Sequence, residues 1–342
     1  MSGNTEIHCL IPNLDEKNYA LFKSVTENLP HEFQAYAKSN EKISTYIKSH
    51  IIIALQGENP VGRLVLYENN NIHSKHHKTI LLGNYDCINN DAVAQVLLEQ
   101  ARQLADAMGY QSMIGPINGS TWENYRWITQ HNHPPFFSEP NQPWYYPLQW
   151  RSFGFSTLTT YFSAIDGALT VDHPKILKKE KQLLENGFQW QGINITQLET
   201  ELKELYPIMC RGFENNYLYS PISESDFVIK YKSMKTILDP RWVIKAISPD
   251  NEIKGVIFTF PDLLQETPNR LIVKTLVIDP KDRTIKGLGS VLCNLVVREA
   301  KKMGFQSVIA ALMHQQNLSN NIAKNFDSEA YHSYELLKLA WR

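Results

Sequence analysis

Residues 283–290, Arg-Thr-Ile-Lys-Gly-Leu-Gly-Ser, set two cations and two closely spaced glycines just ahead of an amphipathic stretch. Glycine lets a backbone come close to a ligand, and the free N–H groups of a helix start attract anions. With Arg283 and Lys286 beside them, Gly287 and Gly289 read as a cradle for a pyrophosphate. The opposing reading is a tight strand-to-helix turn and nothing more, because a lone G-x-G is a weak motif. Other reactive side chains are scattered. His73, His76, His77, His131 and His133 cluster in loops with no cysteine or carboxylate at ligand spacing, so no metal is expected. Asp86 and Glu139 are single loop carboxylates, a class that is usually solvated, and Lys178-Lys179-x-Lys181 reads as a wet helix face. Cys9, Cys87, Cys210 and Cys293 lie far apart, without metal or redox spacing. Neither a nucleophile elbow, nor a Walker loop, nor a dinucleotide fingerprint is present in the sequence.

The elements that must hold the cradle are legible on both sides of it. Residues 271–278 are rich in β-branched side chains, a strand that Asp279-Pro280 stops. Val291, Leu292, Leu295, Val296, Ala300 and Met303 form the apolar stripe of a helix packed on a sheet, and Gly304 ends it. Residues 307–312 read as a second buried strand.

A strand ending Val277-Ile278-Asp279-Pro280, then a basic loop, Gly287-x-Gly289 and an amphipathic helix, resembles motif A of the GCN5-related N-acetyltransferases. Arg283 stands three residues after the proline, as in that superfamily. The spacing R-x-x-x-G-x-G is one residue longer than the usual R-x-x-G-x-G, which puts Thr284 in a register where arginine or glutamine is expected. The resemblance implies an α/β domain with an α+β mixed sheet that binds acetyl-CoA or another acyl-CoA. Leu276, Val277, Ile278, Arg283, Thr284, Lys286, Gly287, Leu288, Gly289 and Ser290 would hold that cofactor, and Asn317 would contact the pantetheine arm or cap a helix. An amine would attack the thioester directly, with backbone N–H groups near Val277 and Ile278 as oxyanion donors. The superfamily's usual acid is a tyrosine on the helix after the second strand. Residues 317–326 contain none, which leaves Tyr331 and Tyr334 as catalytic candidates, though both also suit a packing role.

A repeat organises the whole chain. Residues 96–114 and 291–309 match at an offset of 195, with Val96/Val291, Leu97/Leu292, Ala105/Ala300, Met108/Met303, Gly109/Gly304, Gln111/Gln306, Ser112/Ser307 and Ile114/Ile309 identical. Shared helix periodicity alone would not reproduce Met-Gly-aromatic-Gln-Ser, so two tandem copies of one fold are expected. The break at Asp166-Gly167 and His173-Pro174 divides the chain into 1–168 and 169–342. The strand at 78–82 is matched with 274–278, and hairpins are expected at 51–66 and 242–260. The copies differ at the cradle. Lys286, Gly287 and Gly289 project back onto Asp91, Ala92 and Ala94, so the first copy is degenerate and is expected to bind no CoA. Its loops, with Gly115, Pro116, Asn118, Trp122, Tyr145 and Tyr146, either close a sheet end or form a substrate-facing wall.

With 342 residues, 43% hydrophobic side chains and a formal net charge of −1, the chain has the balance of a globular protein. That balance argues against nucleic acid or an acidic membrane surface as partner. No signal segment or spanning run is evident, so the expectation is a reduced, cytoplasmic protein. The reading is an acyl-CoA-dependent N-acyltransferase acting on a small-molecule or amino-acid-like amine. The alternatives are an inactive acyl-CoA-binding or regulatory protein, and a tandem aminoacyltransferase that uses charged tRNA.

Overall fold

The computed structural model describes residues 6–72, 78–130, 133–282, 285–315 and 328–341. The first half comprises β1 (Ile7–Leu10), α1 (Glu16–Ser24), α2 (His31–Ser39), β2 (Lys48–Gln56), β3 (Asn59–Glu68), β4 (Thr79–Cys87), α3 (Asp91–Ala107), β5 (Ser112–Gly115), β6 (Trp127–Gln130), α4 (Tyr146–Phe153) and β7 (Ser156–Asp166). The second comprises α5 (Pro174–Glu185), β8 (Gln189–Gly192), α6 (Leu198–Phe213), α7 (Glu224–Lys232), β9 (Val243–Ile247), β10 (Ile253–Pro261), β11 (Arg270–Ile278), α8 (Leu288–Lys302), β12 (Ser307–His314) and β13 (Glu329–Ala340).

One mixed sheet runs through both halves in the order β1-β2-β3-β4-β5-β13-β7-β12-β11-β10-β9-β8, with β6 on the side of β13. The centre of that order crosses the repeat. The first half's last strand, β7, pairs with β12, while β13 at the end of the chain pairs with β5. The two exchanged strands also pair with each other from Glu329↔Ile165 to Lys338↔Ser156. Each half therefore completes its sheet with the other's final strand, and parting them would break backbone ladders that water must then satisfy.

The repeated sequence is a helix ending fused to a buried strand. Gly109 and Gly304 both take left-handed backbone, with φ of 80° and 83°. Just beyond them the Tyr110 N–H reaches Ala105 O at 2.9 Å, and the Phe305 N–H reaches Ala300 O at 3.0 Å. These are the two hydrogen-bonded stops of α3 and α8, which explains why Met-Gly-aromatic-Gln-Ser recurs. Ahead of the helices the strand match needs correction. Thr79 pairs with Ser112 and Arg270 with Ser307, so β4 and β11 are equivalent at an offset of 191, not the near-195 offset expected for residues 78–82. The helices keep 195, so the second strand-to-helix loop is four residues longer than the first.

α3 lays Val93, Leu97, Leu98 and Ala101 on the first part of the sheet, and α8 lays Val291, Leu292, Val296 and Ala300 on the second. Burial of those two stripes holds both strand–loop–helix units in place. Residues 115–150, expected to be loop-rich, also contain β6 and the start of α4.

Candidate active site

In the second half β11 and β12 run parallel only from Arg270↔Ser307 to Val273↔Ala310. Beyond Val273 the ladder ends and the strands part. β11 is also out of step with β10 between Phe258 and Thr259, so Lys274 forms a bulge where the gap opens. Past the end of β11, Gly287 takes φ 87° as the N-cap of α8, and no side chain caps that helix. Such an N-terminus can take an anion on its own N–H groups. A Cβ on Gly287 would lie 3.2 Å from Cγ of Lys179, which brings a lysine of α5 against the cradle. Lys179 is therefore not only part of a wet helix face, as the Lys178-Lys179-x-Lys181 run suggests. At the base of the loop, Asp279 is paired with Arg211 at 2.5 Å; burial opposes its charge, but that guanidinium holds its carboxyl below the usual range.

The first half has the same parting and fills it. The pairing of β4 with β5 stops at Leu81↔Ile114. The Ile117 N–H then donates to Leu82 O at 2.8 Å, and the Asn84 N–H donates to Asn118 Oδ1 at 2.7 Å. A Cβ on Gly83 would sit 2.6 Å from that Oδ1, so residues 116–119 occupy the gap closely. At the far end of β4, the Cys87 N–H donates to the Tyr146 hydroxyl at 3.1 Å, the Tyr145 hydroxyl donates to Cys87 O at 3.1 Å, and Gln149 Nε2 donates to Ile88 O at 2.9 Å. The helix start is occupied as well: Asn90 Oδ1 accepts from the Ala92 N–H at 2.9 Å. The first copy thus fills this gap and caps its helix start with its own residues, where α8 has no side-chain cap.

The opening in the second half leads into a cleft of about 1870 Å³ that reaches between the halves. Leu276, Ile278, Lys286, Gly287, Leu288, Gly289 and Ser290 line it, as do Pro116, Asn118 and Trp122. Arg283, Thr284 and Asn317 lie outside the described residues, as do His73, His76, His77 and His131. Val277 turns into the core beneath α6, against Gly212. Gly115 is pressed between Leu82 O and the Trp150 ring. Tyr145 and Tyr146 do not face the cleft as a substrate wall would. They are buried in the first half's core, where Tyr146 also bonds Asp86 at 3.2 Å. Trp122 crosses over and packs edge-on to Phe213, Tyr219 and Phe227, its Nε1 donating to Ser220 O at 2.9 Å.

The tyrosines of β13 are also turned inward. The Tyr331 hydroxyl donates to Pro134 O at 2.6 Å and accepts from Arg270. The Tyr334 hydroxyl donates to Glu139 and meets Ser163 Oγ at 2.9 Å, and burial followed by Glu139 drives its pKa far above the ordinary tyrosine value. Neither ring lines the cleft. Asp86 and Glu139, expected to be solvated, have no exposed side-chain surface: Asp86 is locked to Arg63 at 2.7 Å, and Glu139 to His332 at 2.8 Å.

What does face the cleft includes cations that the sequence did not single out. Lys274 keeps partial exposure to the cleft, and its Nζ donates to Ser138 O at 3.3 Å. Burial, then Arg126 and Lys230, bring its pKa from 10.5 down to about 7, with Glu139 pulling the other way. Arg126 and His314 share the same wall, and burial followed by the charge of Arg126 lowers the imidazole's pKa. The signal in the sequence was thin: Lys274 is one charged residue in an apolar strand, and nothing local says that the strand bulges there. Among the described residues no group of three or more His, Cys, Asp or Glu could hold a metal, and no helix is long and apolar enough to cross a membrane.

No family model matches the sequence. A curated relative described as a bacterial ceramide synthase, from Caulobacter vibrioides, is 25% identical over 174 residues, which is 50% of this chain and 45% of the relative. Solved structures match nearly the full length at low identity. The GCN5-related glucosamine N-acetyltransferase region of a fungal multi-domain GH3 β-N-acetylglucosaminidase aligns with 99% of this chain and 38% of its own, at TM-score 0.57 and 11% identity. A tandem protein from the clavulanic acid biosynthesis pathway aligns over 98% of both chains at TM-score 0.55 and 10% identity. An N-acetyltransferase from Sphaerobacter thermophilus aligns over 98% of this chain and 95% of its own, at TM-score 0.52 and 11% identity.

Proposed function

For a chain with the tandem GCN5-related N-acetyltransferase fold, we propose an N-acyltransferase that moves the acyl group of an acyl-CoA, acetyl-CoA first among them, to the amine of a small molecule. One centre per chain operates, in the second half. The observation that carries the reading is the contrast between the two gaps: uncapped α8 and parted β11/β12 open into the cleft, while Asn118, Tyr145, Tyr146 and Asn90 fill the first copy's equivalent.

The residues present suit the cofactor. Gly287 leaves room at the helix start, Lys179 and Lys286 bring positive charge to it, and the backbone of residues 276–278 borders the gap as a source of N–H donors for a developing oxyanion. The acyl-CoA supplies the activated thioester. Lys274 stands where the gap begins, and with a pKa of about 7 a large share of it is neutral near neutral pH. The amine enters as its free base, its ammonium proton having gone to solvent. Neutral Lys274 takes the proton that nitrogen sheds as the C–N bond forms. As an ammonium it returns that proton to the thiolate released when the C–S bond breaks, whose conjugate acid is the weaker at about 8.5. This assignment replaces Tyr331 and Tyr334, which are held inside the core. The bacterial relative described as a ceramide synthase supports acyl transfer in general terms.

The test is calorimetric titration with acetyl-CoA and longer acyl-CoAs, followed by CoA-release assays over a panel of amines. Saturation near one equivalent with turnover supports the reading. Two equivalents would remove the asymmetry. Binding without turnover on any amine would make the chain a binding protein, and turnover only with aminoacyl-tRNA would make it an aminoacyltransferase.

A further inference from the structure

Arg126 breaks a rule that the other buried arginines of this chain obey. Arg63 has no exposed side-chain surface and pairs with Asp86 at 2.7 Å, while its other nitrogens donate to Phe22 O and Ala37 O. Arg270 pairs with Asp262 at 2.5 Å and donates to Tyr331. Arg126 is 5% exposed, yet it makes no ion pair with any described residue. Its Nη1 donates to Leu312 O at 2.7 Å, and its Nε is buried without an acceptor. The guanidinium lies between the rings of Tyr125 and Tyr161, 3.7 and 4.2 Å from their centroids. Two ring faces and one carbonyl hold it in position but leave Nε without an acceptor among the described residues, and arginine cannot shed its charge.

The place matters as much as the deficit. Leu312 is on β12, past the point where β11 and β12 part, and Lys274 is at the same level on β11. Arg126 therefore stands across the gap's mouth from the proposed base, in the wall of the same cleft. Of the titratable groups that face them, His314 is not held charged, Lys230 is paired with Glu123 at 2.9 Å, and Glu139 is engaged by Tyr334 and His332. Arg126 adds to the mouth a fixed positive charge that no described carboxylate pairs with. A simple cationic amine would be repelled there, whereas an amine carrying an oxyanion would be drawn in and oriented.

We propose that the acyl acceptor bears a carboxylate or phosphate close to its amine, and that Arg126 binds that anion at the mouth of the β11/β12 gap. The proposal rests on the acyl-transfer reading for the amine's role, but the anion site stands on Arg126 alone. With acetyl-CoA as donor, β-alanine and O-phosphoethanolamine are each compared with their uncharged-end counterparts, β-alaninamide and ethanolamine; the two pairs separate carboxylate from phosphate. At least one anionic member should exceed its counterpart by tenfold or more in kcat/KM. Arg126→Gln should erase the preference while acetyl-CoA affinity, read by calorimetry, stays within about twofold. Equal rates for charged and neutral members in the wild type would overturn the proposal, as would a variant that slows both members alike. Calorimetry of β-alanine and O-phosphoethanolamine without CoA separates the two readings. Anion binding lost in Arg126→Gln, with no turnover on any amine, keeps the anion site and sinks acyl transfer. Turnover on neutral amines with no anion bound does the reverse. If Arg126→Gln does not fold, Arg126→Lys keeps the charge without the planar fork and should weaken the anion at least tenfold; unchanged affinity there would overturn the proposal.

Discussion

Replacing Lys274 with methionine should make the protein more stable and nearly inactive. The lysine sits on the bulge of β11 with its ammonium among Arg126 and Lys230, and Ser138 O at 3.3 Å is its hydrogen-bond acceptor. Its pKa falls from 10.5 to about 7 on folding, chiefly through burial. The unfolded chain therefore binds more protons than the folded one between those values, and the folded state gains stability as pH rises from about 7 towards 10.5. Below pH 7 the full penalty applies. At about 1.4 kcal/mol per pKa unit its ceiling is about 5 kcal/mol, and partial exposure to the cleft reduces that to about 2 kcal/mol. Methionine fills a similar volume without the charge. Urea unfolding should thus find Lys274→Met about 2 kcal/mol more stable than the wild type at pH 6, with the gap closing as pH approaches 10. CoA release under the same conditions should fall about 100-fold or more, and the wild type's acidic limb near pH 7 should vanish. A gap of zero at pH 6, or one of equal size at both pH values, would mean that Lys274 is an ordinary solvated lysine and not the base.

Gly287→Val should weaken acetyl-CoA binding about tenfold or more, because a branched side chain at φ 87° meets Lys179 and covers the helix start. The buried stripe of α8 is untouched, so a large fall in melting temperature with unchanged affinity would make the glycine merely structural. Tyr334→Phe should cost about 1–3 kcal/mol in urea unfolding, since buried Glu139 loses a donor, while turnover stays within a few-fold. A 100-fold loss of turnover at unchanged stability would instead restore Tyr334 as the acid.

The chain's own text determined the duplication, the strand–loop–helix units and the inequality of their loops. Those are local matters: a period of 3.6 residues, a left-handed glycine at Gly109 and Gly304, and Gly287 against Ala92 are all written within one turn of backbone. Only the tertiary structure decided what each side chain meets. For Tyr145 and Tyr146 the sequence leaves a substrate-facing wall and a closed sheet end equally open, and they are plugs because α4 folds back onto the end of β4. Tyr331 and Tyr334 were placed by β13, which crosses to pair with β5 and β7 and so turns both rings inward. Lys179, Lys274 and Arg126 carried no local signal of a place in the site. Their roles depend on α5 reaching the cradle, on a one-residue bulge in β11, and on a loop of the first half that lies across β12. Such pairings join residues far apart in the chain and are set by strand register and by the exchange of the final strands. A short sequence window holds neither, so the cradle was readable and the opposite wall of the site was not.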